Sequence, residues 1–211
     1  AMTNVAEAQW TRFMWLRENL RGMRGCLHII DTLSRAIQSH VTNGYFRVHD
    51  SGDFFNVRYA YMWYKICERC PDIKFWFPTR NWHTLNGDNK FLGVLRVMAK
   101  LPNVIIRPSA LYIDEATPVV DGLAAGSGVA SQATKDRLTA VLCPKSMMGG
   151  SCQSNNCRSC WDAPQDEVYY YVHGIGGRHI AQNVDAGKFP LRRQATKDKF
   201  TALSVGGTNA G

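Results

Sequence analysis

Four cysteines fall close together in the order Cys143-x8-Cys152-x4-Cys157-x2-Cys160. Between them stand Gly149, Gly150, Ser151, Ser154, Asn155 and Asn156, a composition that makes a loop able to wrap around a central ion. Two thiolates separated by two residues can chelate one centre, because the turn points both sulfurs inward. Four complete a tetrahedral zinc site or hold an iron–sulfur cluster. Zinc ribbons usually bring two separate Cys-x2-Cys pairs, and this segment has one. The x4 then x2 spacing also occurs in one ferredoxin type, although there the fourth ligand lies downstream. The segment therefore favours a [4Fe–4S] cluster, with zinc as the alternative. Free thiols or two disulfides are the plainer readings. A centre with four thiolates is closed, and closed sites are structural or electron-transferring more often than catalytic. Trp161, directly after the last cysteine, either shields such a centre or belongs to the core. Cys67 and Cys70 form a second Cys-x2-Cys pair, but at a helix end, where ordinary packing is expected; Cys26 reads as core for the same reason.

A second group of chemically capable residues follows three β-rich runs. The first leads into His49-Asp50-Ser51-Gly52-Asp53, the second into Pro78-Thr79-Arg80-Asn81-Trp82-His83, the third into Arg107-Pro108-Ser109. Parallel α/β folds place their sites at the carboxyl ends of strands, where loops converge. His49 with Asp50 and Asp53 could act as a base with carboxylate partners, or ligate a hard cation. Gly52 would allow close approach of a ligand. Arg80 and Arg107 suit planar, bidentate binding of phosphate or carboxylate, with Ser51 and Ser109 as hydroxyl contacts. The structural alternative is that Asp50 pairs with Arg80 and that one aspartate caps the next helix. Gly122, Gly126 and Gly128 could line a phosphate cradle, but the Gly-Lys-Ser/Thr of a P-loop is missing. Trp10, Trp15, Tyr59 and Trp63 lie on helical faces and read as core.

The elements that must carry these residues are legible in outline. Helical periodicity opens the chain through Val5, Ala8, Arg12, Trp15 and Leu16. After a break at Gly22 and Gly25 it resumes with Cys26, Ile30, Leu33 and Ile37. Tyr45–Val48 is a short strand. Asn56–Cys70 is an amphipathic helix with Asn56 as N-cap and Pro71 as stop. Ile73–Phe77 and Val104–Ile106 are strands, with a helix between them over Asp88–Leu101. Strand, helix, strand, helix, strand reads as two βαβ crossovers. Val119-Val120 is expected to begin another strand, Thr139–Leu142 to lead into Cys143, and Glu167–His173 to form a strand. The expected fold is α/β: a parallel sheet or partial (β/α) barrel with N-terminal helices and a C-terminal four-cysteine loop. The expected divisions are residues 1–43 (helices), 44–142 (βαβ core), 143–175 (cysteine segment and strand) and 176–211 (basic tail), within one domain.

The chain is 45% hydrophobic, enough for a core, and carries a net charge of +8. That charge favours an anionic partner, either a phosphorylated ligand or nucleic acid. No apolar run is long enough for a membrane span, and no secretory leader is expected because Ala1–Asn4 runs into a helical pattern. Ala1-Met2 reads as an added start, with upstream residues expected to be missing. Seven cysteines, an odd number, fit a reducing cytoplasm. Oligomeric state is left open.

Phe46-Arg47-Val48-His49-Asp50-Ser51-Gly52-Asp53-Phe54, then Phe75-Trp76-Phe77-Pro78-Thr79-Arg80, then Cys143-Pro144 through Cys157-x2-Cys160-Trp161-Asp162 resemble the phage "gene product 88" family. The resemblance covers roughly residues 40–175. It implies a radical-SAM-like arrangement: an N-terminal cysteine triad, a partial (β/α) barrel and a C-terminal cluster. This chain has no cysteine before Cys26. Reductive cleavage of S-adenosylmethionine needs three thiolates and an open iron, so radical chemistry is not expected. Three functions stay in play. The first is a cluster protein binding a phosphorylated ligand or nucleic acid at its strand ends, with or without catalysis. The second is a non-enzymatic, metal-stabilised module binding nucleic acid or a host protein. The third is a metal-dependent nuclease using Asp50 and Asp53.

Overall fold

The computed structural model describes residues 11, 14–16, 18, 22–49, 53–83, 90–131, 138 and 140–172. The chain divides into two compact units. The first holds Ala1–Pro108, Val119–Ala125 and Ser159–Gln165; the second holds Ser109–Pro118, Gly126–Arg158 and Asp166–Gly211. The units interleave along the chain.

In the first unit the order is α1 (Met23–His40), β1 (Tyr45–Arg47), α2 (Val57–Arg69), β2 (Lys74–Thr79), α3 (Lys90–Met98) and the first half of β3 (Val104–Ile113). Both βαβ crossovers are present: β1 pairs with β2 in parallel, and β2 with β3 in parallel. Helix α2 forms as its sequence dictates. Asn56 caps it, its side-chain oxygen accepting from the backbone N–H of Tyr59 at 2.8 Å. Such a cap contributes about 1 kcal/mol. Tyr59, Met62, Trp63, Ile66 and Cys67 recur at helical spacing, and all are buried. Beyond the helix, the Asn103 amide donates to the carbonyls of Cys67, Cys70 and Ile73 at 3.1, 2.9 and 3.1 Å. Cys67 and Cys70 are therefore core residues at a tied-down helix end.

β2 is buried on both faces, as a parallel strand should be. Phe75 and Phe77 pack with Phe46 and Trp63, at centroid distances of 5.7 Å (Phe46–Phe75) and 5.8 Å (Trp63–Phe77). Trp76 alternates to the opposite face, where it meets Trp161 edge-on at 5.1 Å. Trp161 belongs to α5 (Ser159–Asp162), and its indole donates to the Phe46 carbonyl at 3.1 Å. Of its two expected readings, packing is the one these contacts describe.

The second unit contains the latter half of β3, then β4 (Ser127–Ala130), β5 (Val141–Leu142), α4 (Pro144–Met148) and β6 (Val168–Tyr171). All its strand pairs are parallel, β3 with β4, β4 with β6, and β6 with β5. β3 runs through both units, so the six-stranded order is β1-β2-β3-β4-β6-β5. The fold is α/β with a parallel sheet.

Four local expectations need correction. Gly25 lies inside α1, and only Gly22 stands at its start. Val119-Val120 is not a strand. The glycine segment is not an open cradle: Gly128 is a buried residue of β4, and a Cβ there would stand 2.5 Å from the Tyr169 ring of the neighbouring strand. Fourth, and most consequential for the site, β3 does not end at Ile106 but continues to Ile113. Pro108 looks like a stop because it lacks an N–H. It is tolerated because β2 ends opposite it, at Thr79, while pairing with β4 starts at Ser109. The missing donor falls where β3 changes neighbours.

Candidate functional site

The ends of β1 and β2 build one polar network in the first unit. Asp53 is its hub. Its Oδ1 accepts from the Phe54 N–H and the Thr79 hydroxyl, each at 2.7 Å, and its Oδ2 accepts from the Arg80 N–H at 2.6 Å. Asn81 closes the ring, its N–H donating to the Thr79 hydroxyl at 3.0 Å and its amide to the Phe54 carbonyl at 2.9 Å. The Arg80 side chain is exposed. Asp53 does not cap α2, a role that Asn56 fills. These three hydrogen bonds take up three of the roughly four acceptor positions of the carboxylate.

His49 sits two residues past β1 with φ at 61°, a left-handed conformation that costs a residue with a Cβ on the order of 1 kcal/mol. Its ring lies edge-on to Phe54 at 4.5 Å, with Tyr59 at 5.8 Å and Phe77 at 6.3 Å. Both ring nitrogens are buried, and neither has a hydrogen-bond partner among the described residues. Burial lowers its pKa to about 4, with Arg47 adding to the effect and Asp53 opposing it. At neutral pH the imidazole is therefore uncharged: one donor, one acceptor, and too weak a base for efficient proton abstraction. Buried nitrogens with no partner among the described residues, on a strained backbone, are uncommon and call for an explanation. Asp50 and Ser51 lie outside the described residues.

Arg107 and Ser109 are not at a strand end. Arg107 is wholly buried in β3. One guanidinium nitrogen donates to the Ala125 carbonyl at 2.7 Å, the other to the carbonyls of Ala163 at 2.9 Å and Ser159 at 3.4 Å. It is a tie between chain segments of the first unit, where sequence spacing pointed to an anion clamp. Ser109, in the second unit, faces Ser127 of β4, hydroxyl to hydroxyl at 3.2 Å.

The cysteine segment begins at the carboxyl end of β5. The Cys143 N–H donates to the Tyr169 carbonyl at 2.8 Å. The Ser146 hydroxyl donates to the Cys143 carbonyl at 2.8 Å and accepts from the Tyr171 N–H at 2.9 Å. Cys143 is thus fixed to the sheet. Cys152 and Cys157 bracket a tight turn in which the Cys157 N–H donates to the Cys152 carbonyl at 2.9 Å. Burial pushes the Cys152 thiol up, and the thiols of Cys143 and Cys157 push it further. Cys152 thus lies within electrostatic reach of Cys143 and of Cys157. Cys160, in the first unit, is buried within α5. All seven cysteines are unbridged. Thiols are soft donors, so the residue types of this segment suit a metal–thiolate centre by their chemistry. Among the described residues, no three His, Cys, Asp or Glu side chains already stand in ligand geometry.

Asn81, Ser146 and Asn155 carry more of this architecture than their sequence spacing reveals. Each acts through a side-chain bond to a backbone group, which leaves no periodic trace. Among the described residues no helix is long and apolar enough to cross a membrane. A family model described as Gene product 88 matches residues 1–163. No curated protein and no solved structure matches the chain.

Proposed function

The chain belongs to the gene product 88 family, and we propose that this member binds a phosphate-bearing ligand, a phosphorylated metabolite or nucleic acid, at the carboxyl ends of β1 and β2. The carrying observation is the buried His49 ring, with no partner for either nitrogen among the described residues, beside the Asp53–Thr79–Arg80–Asn81 network. The exposed Arg80 guanidinium supplies the charge for phosphate, and the net charge of +8 draws a polyanion in. The neutral His49 ring holds one donor and one acceptor with no partner among the described residues, which a ligand would satisfy only on local opening. Asp53 holds the two strand ends in place. These contacts support binding more than catalysis, and they weigh against a nuclease whose metal would need the Asp53 oxygens.

In this reading Cys143, Cys152 and Cys157, with Cys160 three residues further along the chain, hold a [4Fe–4S] cluster or a zinc ion. Such a centre would cross-link the loop and, if iron–sulfur, could also pass electrons. A phage protein working in the reducing cytoplasm of its host would keep these thiols available.

Titrating fluorescent single-stranded oligonucleotides and mononucleotides into wild type and Arg80→Ala tests the site. Binding at moderate salt that weakens about tenfold in Arg80→Ala, which corresponds to roughly 1.4 kcal/mol, is the expected result. Equal affinity in a folded Arg80→Ala protein, or no binding by wild type, sinks the proposal. Metal analysis and the visible spectrum of anaerobically purified protein decide the centre: broad visible absorption with iron means a cluster, a colourless sample with one zinc means the alternative, and neither metal removes both.

A further inference from the structure

The turn that follows β2 is tied to the rest of the first unit, and it carries an arginine and a tryptophan two residues apart. Thr79 and Asn81 use their side chains to hold it: the Thr79 hydroxyl donates to Asp53 at 2.7 Å and the Asn81 amide to the Phe54 carbonyl at 2.9 Å. The Arg80 N–H donates to Asp53 at 2.6 Å, and the His83 N–H to the Arg80 carbonyl at 3.1 Å. Arg80 is exposed, while Trp82 and His83 are half-buried with their rings edge-to-face at 5.5 Å. A second exposed arginine, Arg47, closes β1. Its guanidinium lies over the Trp76 ring at 4.9 Å, and Trp76, its register partner in β2, is braced in turn by Trp161 at 5.1 Å. A cation–π contact engages the charge of a guanidinium and none of its N–H donors. The Arg47 charge also bears on His49, whose protonated form it disfavours. Arg47 therefore belongs to the same strand ends as His49 and Arg80.

We propose that the phosphate-bearing ligand of this site is single-stranded nucleic acid, with Arg47 and Arg80 holding two of its phosphates and Trp82 stacking on one of its bases. The inference rests on the strand-end reading above and selects among the ligands that reading allows. Sites for single strands combine cations that track the backbone with aromatic rings on which bases stack, because every base has a π-face. A phosphorylated metabolite without a base offers nothing to an indole face. A duplex keeps its base faces inside the stack. The spacing of the arginines points the same way. Arg47 stands level with Trp76, and β2 ends at Thr79, on the order of 10 Å further along the strand. Two arginines whose backbones are that far apart suit two phosphates of one chain better than a single phosphate group. A turn already held by Thr79 and Asn81 does not have to be ordered by the ligand, so less affinity is lost on binding. The net charge of +8 adds a long-range pull on a polyanion.

The test is fluorescence anisotropy on the full chain, with labelled oligothymidylate, a labelled abasic strand of equal length, and thymidine monophosphate as competitor. Wild type is expected to bind oligothymidylate about tenfold more tightly than the abasic strand, within the range that stacking of one base contributes. Trp82→Ala weakens oligothymidylate by about the same factor and leaves the abasic strand unchanged, and Trp82→Phe restores most of the loss. Arg47→Gln and Arg80→Gln weaken both strands, and each lowers the slope of log affinity against log salt by about 0.7. Wild type that binds neither the strands nor the mononucleotide overturns the strand-end reading and this inference with it. Wild type that binds the mononucleotide as tightly as oligothymidylate, or the abasic strand as tightly as the one with bases, overturns this inference alone. So does a folded Trp82→Ala protein with unchanged affinity for oligothymidylate, or a folded Arg47→Gln protein with an unchanged salt slope. The abasic comparison is made on wild type, so it decides the stacking claim even where Trp82→Ala does not fold.

Discussion

The strand-end network of the first unit and the cysteine loop of the second are both held by side-chain hydrogen bonds, but over different reaches. Asp53 binds Thr79 and Arg80, and Asn81 binds Phe54, across 26 to 27 residues of chain. Arg107 reaches further still, to Ala163. In the loop, Asn155 spans six residues to Gly149, and Ser151 and Ser154 are three apart. Bonds of the first kind exist only when the sheet is assembled, so their energy is part of global stability. Bonds of the second kind can form and break with the rest of the protein intact, so they govern a local equilibrium. The same chemistry thus makes a rigid shelf in one unit and a separable cradle in the other.

The largest expected effect that sharpens this contrast is at Arg107. Arg107→Met keeps most of the volume but leaves the carbonyls of Ala125, Ser159 and Ala163 without the guanidinium that now satisfies them. Breaking a buried charged network typically costs about 3–5 kcal/mol. Chemical denaturation should show a loss of that size. A change under 1 kcal/mol would mean that long-range polar ties in this unit are incidental.

Next is the pH dependence that His49 imposes. Its pKa of about 4 in the fold lies below the ordinary 6.5, so the unfolded chain binds the proton more tightly. The stability associated with the neutral ring is complete above pH 6.5. It falls as pH drops from there towards 4, where the folded form must take up the proton as well. At about 1.4 kcal/mol per pH unit the full loss is about 3 kcal/mol. Urea denaturation of wild type and His49→Leu at pH 7, 5.5 and 4 should show a difference that shrinks or reverses by that amount. Parallel curves would mean the imidazole is not buried, and the ligand site would lose its main support.

The sequence carried the scaffold better than the site. Helix α2 was legible because a cap, an apolar face and a proline stop agree at Asn56, Tyr59–Cys67 and Pro71. The parallel order followed from strands alternating with helices. Arg107 was misplaced for a specific reason: proline looks like a strand terminus unless one knows which neighbour its missing N–H would have faced. Gly126-Ser-Gly128 was misread because a glycine demanded by a facing tyrosine ring is indistinguishable, in sequence, from one demanded by a turn. His49 was found by type and position. Its neutral state was not, because that depends on Phe54, Tyr59 and Phe77 closing around it in space.

The smallest expected effect tests the other half of the contrast. Ser151→Ala removes the hydroxyl that accepts from the Ser154 N–H on an exposed loop. An exposed bond of this kind contributes about 0.5–1 kcal/mol, and only to the state that contains it. The unfolding free energy of the metal-free protein should therefore fall by no more than about 1 kcal/mol, because the loss is capped once the open loop becomes the populated native form. Amide exchange should tell a different story: the N–H groups of Ser154, Asn155 and Cys157 should exchange several-fold faster, while those of Phe75 and Phe77 in β2 keep their rates. If β2 accelerates in step with the loop, the two regions open together, the loop is part of the global fold, and the distinction between a rigid shelf and a separable cradle is lost.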